Sequence, residues 1–261
     1  VLHYSSCKSM IIHPYGVILG LGIIAGITAA QRVTARINKT LEKEIESLAV
    51  WVFVGGLVGA RVYHLVTDWP SYRSANLFTL VAVWNGGLGI FGAVIGAVLA
   101  CRLFLWVTKK SLRVLPTYLD LIALGLPLGQ AIGRWGNFVN QELYGLPTTL
   151  PWKIFIDSPH RLPGYESIAY YHPLFLYESL AMLVVWIGLW KYTAHHAYKM
   201  IGKGALFAWY LLSYGVVRFF LDFLRLEVPL IGIFTPAQWV SVSLVVVSSV
   251  WLIGQRNWKK K

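Results

Sequence analysis

Charge is scarce in this chain, acidic charge most of all. Only 13% of the 261 residues are charged, with 11 acidic residues against 23 Lys and Arg. A soluble domain carries roughly 25% charged residues, so an ordinary water-soluble fold is not expected. Cysteine is nearly missing too. Cys7 and Cys101 stand apart from any metal-binding or redox spacing. Neither a P-loop nor a dinucleotide fingerprint occurs, so no metal and no organic cofactor is expected. Internal repeats and low-complexity tracts are also lacking, which points to a single domain over residues 1–261.

Apolar residues are abundant, at 57% of the chain, and the mean hydropathy is +0.60. The formal charge of +12 would suit nucleic acid or anionic lipid. The basic residues punctuate apolar runs instead of gathering on a soluble face, which favours membrane lipid and excludes nucleic acid. No small-residue cleavage site follows the first apolar stretch, so no cleavable signal peptide is expected. The sequence opens with Val1, and Met10 directly precedes the first span. Val1–Ser9 therefore reads as an extension upstream of a start at Met10; a mature peptide containing Cys7 would refute it.

Seven apolar runs approach the roughly 20 residues a bilayer core requires. They are about Ile11–Ala30, Leu48–Val66, Gly86–Val107, Thr117–Trp135, Pro173–Trp190, Ala205–Phe223 and Thr235–Ile253. The fold expected is an all-α polytopic membrane protein. Basic residues cluster in alternate connections: Arg32, Arg36, Lys39 and Lys43; Lys109, Lys110 and Arg113; Lys191, Lys199 and Lys203; then Lys259, Lys260 and Lys261. Cytoplasmic loops carry such an excess, so the N-terminus is expected outside and the C-terminus in the cytoplasm. That topology separates Cys7 from Cys101 across the membrane and argues against a disulfide. It also makes the proline-rich connection of about 144–171, between spans four and five, a small extracytoplasmic cap of short elements.

Polar residues from distant segments then converge on the outer side. Tyr15 starts span one. Arg61, Tyr63 and His64 lie toward the outer end of span two, and Asn85 opens span three. Arg134, Asn137, Asn140 and Glu142 close span four, while His172, Tyr177 and Glu178 open span five. Tyr214, Arg218, Asp222 and Arg225 follow the i, i+4, i+8, i+11 spacing of one helical face. Charge inside a bilayer is expensive and by default functional. Arginine's planar fork matches phosphate, so a lipid phosphate is the ligand expected for Arg134 and Arg218. The blander readings are a structural tie of Arg134 to Glu142 or Asp222, and a self-neutralised row for Arg225. Arg61 either snorkels to the interface or pairs with Glu178. Asn137 and Asn140 offer neutral donors for glycerol hydroxyls, and Gly145 permits close backbone approach. His13 reads as interfacial, and His195–His196 receive no role.

At these residues the sequence resembles the bacterial prolipoprotein diacylglyceryl transferases. Gly133-Arg134-Trp135-Gly136-Asn137-Phe138-Val139-Asn140-Gln141-Glu142-Leu143-Tyr144-Gly145 is similar to the family signature GRxGNFxNxExxG. His13-Pro14-Tyr15-Gly16, Gly59-Ala60-Arg61-Val62-Tyr63-His64, Trp84-Asn85-Gly86-Gly87, His172 to Glu178 and Tyr214 to Arg218 match in the same order. The resemblance implies transfer of a diacylglyceryl group from phosphatidylglycerol to the lipobox cysteine of a prolipoprotein. A thioether forms and glycerol phosphate leaves, at the outer leaflet of the bacterial cytoplasmic (inner) membrane. It also implies that Arg134 and Arg218 handle the phosphate. Tyr15, Asn137, Glu142, Gly145 and Tyr214 would surround the headgroup, to which the residue reading adds Arg61 and Asn140. The chain departs from the family at Phe91, where many members carry a His, sometimes a Tyr, cast as the base for the thiol. Phe91 cannot titrate, so His64 and then His172 are the substitutes expected.

Two other classes fit parts of the pattern. A non-catalytic phospholipid-binding or lipid-moving protein would explain Phe91. A solute transporter would carry polar residues through to the inner end, whereas here they thin out toward Ile, Val, Leu, Gly and Ala.

Overall fold

The computed structural model describes residues 14–73, 75–83, 86–196, 198–226 and 229–258, with side chains up to Gln255. Val1–Ser9, Met10, His13, Trp84, Asn85 and the terminal lysines lie outside the described residues. The chain divides into two compact units. The smaller is Gln31–Tyr118, and the larger combines Val1–Ala30 with Leu119–Lys261.

In the smaller unit, α2 (Lys39–Thr67) begins at Asn38, whose side-chain oxygen accepts the Thr40 N–H at 2.8 Å. That bond satisfies one of the amides a helix start leaves open. Two short helices, α3 (Trp69–Tyr72) and α4 (Leu77–Val81), lead to α5 (Ile90–Val107). Gly55 and Gly59 on α2 meet Gly92 and Gly96 on α5 so closely that a methyl on Gly59 would strike the Gly92 carbonyl. Small residues at such a spacing bring helix backbones together where lipid offers no hydrophobic drive between helices. Val94, Val98 and Leu99 stay more than half exposed, an apolar surface suited to lipid rather than water.

Span three starts later than expected, at Ile90 instead of Gly86. Gly86 and Gly87 hold φ of 83° and 71°, left-handed values incompatible with a right-handed helix. Their carbonyls are bonded by Arg61.

The larger unit holds most of α1 (Pro14–Thr34), the end of α6 (Leu115–Ala123), and α7 (Leu126–Val139), α8 (Leu174–His195), α9 (Ala205–Asp222) and α10 (Pro236–Trp258). The span expected over Thr117–Trp135 is two helices, with a 46° bend between residues 112–123 and α7. Pro127 in the first turn of α7 lacks an N–H and disfavours helix at the residue before it. The Leu124 carbonyl accepts the Trp186 indole N–H at 2.9 Å. Because α7 continues to Val139, past the expected end at Trp135, Arg134 sits more than a turn inside the helix. Among the described residues, six helices are long and apolar enough to cross a membrane, or seven if the bent pair counts as one span.

Gly22 and Gly26 of α1 pack on Gly125 and Gly129 as the glycines of the smaller unit do. At the start of α9, fully buried Asp120 accepts five backbone N–H groups, from Gly202, Lys203, Gly204, Leu206 and Phe207, at 2.8–3.2 Å. A carboxylate there satisfies the open amides and the positive end of the helix dipole. Successive helices α7, α8, α9 and α10 alternate in direction, so the end of α7, the start of α8, the end of α9 and the start of α10 share one end of this unit.

The connection between α7 and α8 is folded. Strands β1 (Ile154–Phe155) and β2 (Tyr170–Tyr171) pair antiparallel, and Tyr144, Ile156, Tyr171 and Leu226 form a small core. The Tyr144 and Tyr171 rings lie 4.5 Å apart. The Tyr171 hydroxyl donates toward the carbonyls of Tyr165 and Ile168.

Candidate functional site

The shared end of the larger unit carries a continuous polar network. It starts at Glu142, which accepts from the Asn137 side-chain amide at 2.8 Å. The Asn137 oxygen accepts from Arg134 at 3.3 Å. These two lie one turn apart on α7, hence on one face. The other arm of Arg134 reaches Glu178 on α8. Glu178 also faces Arg218 of α9, at 3.7 Å. Asp222, one turn beyond, stands 3.4 Å from both Arg218 and Arg225. Its second oxygen accepts the Thr235 hydroxyl at the entrance to α10.

Burial sets the electrostatics. Glu178 and Asp222 are only 4% and 3% exposed, whereas the side chains of Arg134, Arg218 and Arg225 keep 24%, 20% and 29%. Three cations share two buried anions. The third carboxylate of the network, Glu142, is exposed and bonded to Asn137, so the positive excess belongs to the buried part, whose guanidinium edges stay accessible to an anion. Among the described residues no buried side-chain nitrogen or oxygen lacks a partner.

Other expected residues frame this end. Tyr15 lays its ring on Gly136, where a methyl would collide with it. Tyr214 stacks on Tyr210 at 6.1 Å, one turn before Arg218. Asn140 caps α7 and is exposed. Gly145 is a crossing point of backbone: its N–H donates to the His172 carbonyl at 2.9 Å, and it bridges to Arg225. A side chain there would strike Leu224, His172 and Leu174. His172 meets the Tyr177 hydroxyl at 3.0 Å, and that oxygen accepts the Trp152 indole N–H at 2.7 Å.

Arg61 and His64 belong to the smaller unit. Arg61 does not reach the surface, and among the described residues it pairs with no acid. It is 5% exposed and donates to the carbonyls of Thr79, Leu80, Gly86 and Gly87 at 2.6–3.1 Å, with its guanidinium over the Tyr72 ring. His64 contacts the Tyr72 hydroxyl at 3.2 Å. Phe91 lies against Tyr63, ring centres 6.0 Å apart.

Arg134 takes Glu178 as its acid, in place of the Glu142 or Asp222 tie considered from the sequence. Glu178 is the organising residue, considered from the sequence only as a partner for Arg61 and found instead against Arg134 and Arg218. Its signal was present: an acid just inside an apolar span needs a cation, and three span-borne arginines, Arg61, Arg134 and Arg218, were on hand. Thr235 and Gln238 carried no such signal. Their bonds at the start of α10, Thr235 N–H to Gln238 and Gln238 N–H to the Thr235 hydroxyl at 3.0 and 3.1 Å, follow from the helix start alone.

Fold and site together define a multi-pass helical membrane protein with a cationic network at one end of a helix group. The chain matches the family Prolipoprotein diacylglyceryl transferase over residues 4–254. It is 39% identical over 245 residues to the phosphatidylglycerol–prolipoprotein diacylglyceryl transferase of Gloeobacter violaceus, covering 93% of this chain and 89% of that one. The enzymes of the same name from Thermosynechococcus vestitus and Finegoldia magna are each 36% identical. They cover 90% and 95% of this chain, and 85% and 91% of their own length. The chain belongs to the prolipoprotein diacylglyceryl transferase family.

Proposed function

We infer that this protein transfers the diacylglyceryl group of phosphatidylglycerol to the lipobox cysteine of prolipoproteins. The observation that carries the chemistry is the sharing of two buried carboxylates, Glu178 and Asp222, by three arginines. The cysteine sulfur attacks the glycerol carbon that bears the phosphate. A C–S bond forms, the C–O bond breaks, and glycerol phosphate leaves with the bonding pair. Arg134 and Arg218 bind the phosphate and stabilise the charge that grows on its departing oxygen. Asn137, held between Arg134 and Glu142, fixes the orientation of that arginine. Asn137, Asn140, Glu142, Tyr15 and Tyr214 frame the headgroup, and Gly145 keeps the backbone crossing compact beside it. Arg61 stays out of this set because backbone carbonyls occupy its fork.

The thiol proton goes to a histidine, since Phe91 offers no titratable group. His172 and His64 are the two assigned, and positive charge beside the thiol raises its thiolate fraction. We place the reaction at the outer leaflet of the cytoplasmic membrane, with the N-terminus outside, the C-terminus inside and the 144–171 segment as an extracytoplasmic cap. The support is the alternation of Lys and Arg among the connections.

The test is incubation of the purified protein with labelled phosphatidylglycerol and a lipobox peptide. Thioether product is expected from wild type and is lost in Arg134→Ala and Arg218→Ala, with lipid binding measured separately. Binding without product in wild type would favour the lipid-carrier reading that Phe91 leaves open. Wild-type rates from pH 6 to 8 in both His64→Ala and His172→Ala would remove the histidines from the proton transfer.

A further inference from the structure

Strand β1 has one partner. The Ile156 N–H donates to the Ala169 carbonyl at 3.0 Å, and the register pairs Ile154 with Tyr171 and Phe155 with Tyr170. In an antiparallel ladder, alternate residues turn their backbone groups to opposite edges. Tyr170 therefore faces away from β1, and its carbonyl indeed accepts from Thr148 at 3.2 Å. By the same alternation, Phe155 turns its N–H and C=O away from β2. Among the described residues nothing pairs with the Phe155 N–H or C=O, although its neighbours on that edge are taken: the Lys153 N–H by the Leu150 carbonyl at 3.1 Å and the Asp157 N–H by the Gln141 side chain at 2.6 Å.

Beside β1 lies a cavity of about 220 Å³, walled by Ile154, Phe155, Phe138, Val139 and Phe175 and bounded on its polar side by Asn137 and Glu142. Asn137 and Glu142 are also the first members of the arginine network. Gln141 fixes one end of this arrangement. Its side chain bonds both the N–H and the carboxylate of Asp157, at 2.6 and 2.7 Å, tying the end of α7 to the end of β1. The cavity is smaller than the roughly 300 Å³ and upward of typical small-molecule clefts, and matches a side chain better than a phospholipid headgroup.

We propose that β1 is the docking strand for the acceptor polypeptide: one residue beside its cysteine, in extended form, pairs with the free N–H and C=O of Phe155, with one aliphatic side chain in the Phe138–Phe175 cavity. Resting on the transfer reading above, the proposal adds where and in what conformation the protein substrate is held. The unpaired N–H and C=O call for an occupant with amides of its own, which selects a peptide over an acyl chain. Strand addition of this kind draws affinity from main-chain bonds and specificity from alternate side-chain pockets. Continuity of the cavity with Asn137 and Glu142 brings the neighbouring cysteine toward the phosphate-binding arginines.

The experiment uses full-length protein with lipobox peptides, each carrying one N-methylated amide, and measures KM for peptide and for phosphatidylglycerol. Edge pairing predicts an alternating profile. N-methylation at the paired position raises the peptide KM about tenfold, its immediate neighbours are spared, and the lipid KM is unchanged. Phe155→Pro, which removes the edge N–H where proline is tolerated, and Val139→Trp, which fills the cavity, raise the peptide KM in the same way. A flat N-methylation profile overturns the proposal. So does a Val139→Trp effect confined to the lipid KM and varying with acyl length, which would make the occupant an acyl chain. Absence of product from the unmodified peptide would instead defeat the transfer reading itself.

Discussion

Arg134 on α7 donates to the carboxylate of Glu178 on α8, 44 residues further along the chain. The same carboxylate faces Arg218, so a single acid sets the spacing of the two arginines assigned to the phosphate. Glu178→Ala leaves both without that acceptor and should destabilise the protein by about 3 kcal/mol, the lower end for broken buried pairs because the arginines keep some solvent. Glu178→Gln keeps the shape and removes the charge. Turnover should fall at least tenfold while thermal stability in micelles changes far less. Wild-type turnover in Glu178→Gln would show that the carboxylate does not order the arginines.

The glycine contacts separate packing from mere presence. Gly59→Val and Gly26→Val place a side chain against a facing backbone, whereas Gly16 and Gly20 have open space within 4 Å of an added Cβ. Overpacking should destabilise the first two by about 1–3 kcal/mol. Gly16→Ala and Gly20→Ala should leave stability unchanged or slightly raised. Thermal unfolding of the four variants in one detergent checks the ordering.

Asp120 holds five backbone amides, and neither its neutral isostere nor its truncation can replace it. In Asp120→Asn one oxygen becomes a donor facing other donors. The expected loss is about 2–3 kcal/mol. Hydrogen exchange at Gly202–Phe207 should accelerate first, ahead of the amides of α7.

Arg61 offers a test of position against charge. Lysine keeps the cation without the fork, so Arg61→Lys leaves some of the carbonyls of Thr79, Leu80, Gly86 and Gly87 without a donor. Stability should fall by about 1–2 kcal/mol with the phosphatidylglycerol KM unchanged. A raised lipid KM at unchanged stability would return Arg61 to the headgroup.

Burial pushes the Tyr171 phenol above its ordinary value. The folded form thus favours the neutral phenol. Its contribution is complete below the unfolded value of about 10 and is lost as pH rises through the folded one. Limited proteolysis within 144–171 should therefore increase above about pH 10, and Tyr171→Phe should remove that alkaline step.

Span identities were legible because their signal is local: a run of about 20 apolar residues reads as a membrane helix whatever surrounds it. The boundaries were less so. Span four broke at Leu124–Gly125 because Pro127 and the Trp186 indole jointly favour a bend, and Trp186 lies 62 residues away. Span three began at Ile90 because Arg61 takes the carbonyls of Gly86 and Gly87, a pairing no periodicity reveals. The Arg134 motif was legible as a site through its composition and its resemblance to a family. Its acid, Glu178, was not assigned, since three acids stood within reach along the sequence.

By itself, then, the sequence determined a polytopic helical membrane protein, the residues that bear charge within it, and the family they resemble, because hydropathy and motif spacing are properties of contiguous residues. Tertiary structure alone decided which arginine meets which acid, that Arg61 donates to four backbone carbonyls, and that the Phe155 backbone turns away from β2. Those outcomes depend on distances between segments far apart in the chain, and in a low-dielectric interior those distances decide whether a charge is neutralised, spent on carbonyls or left available to a substrate.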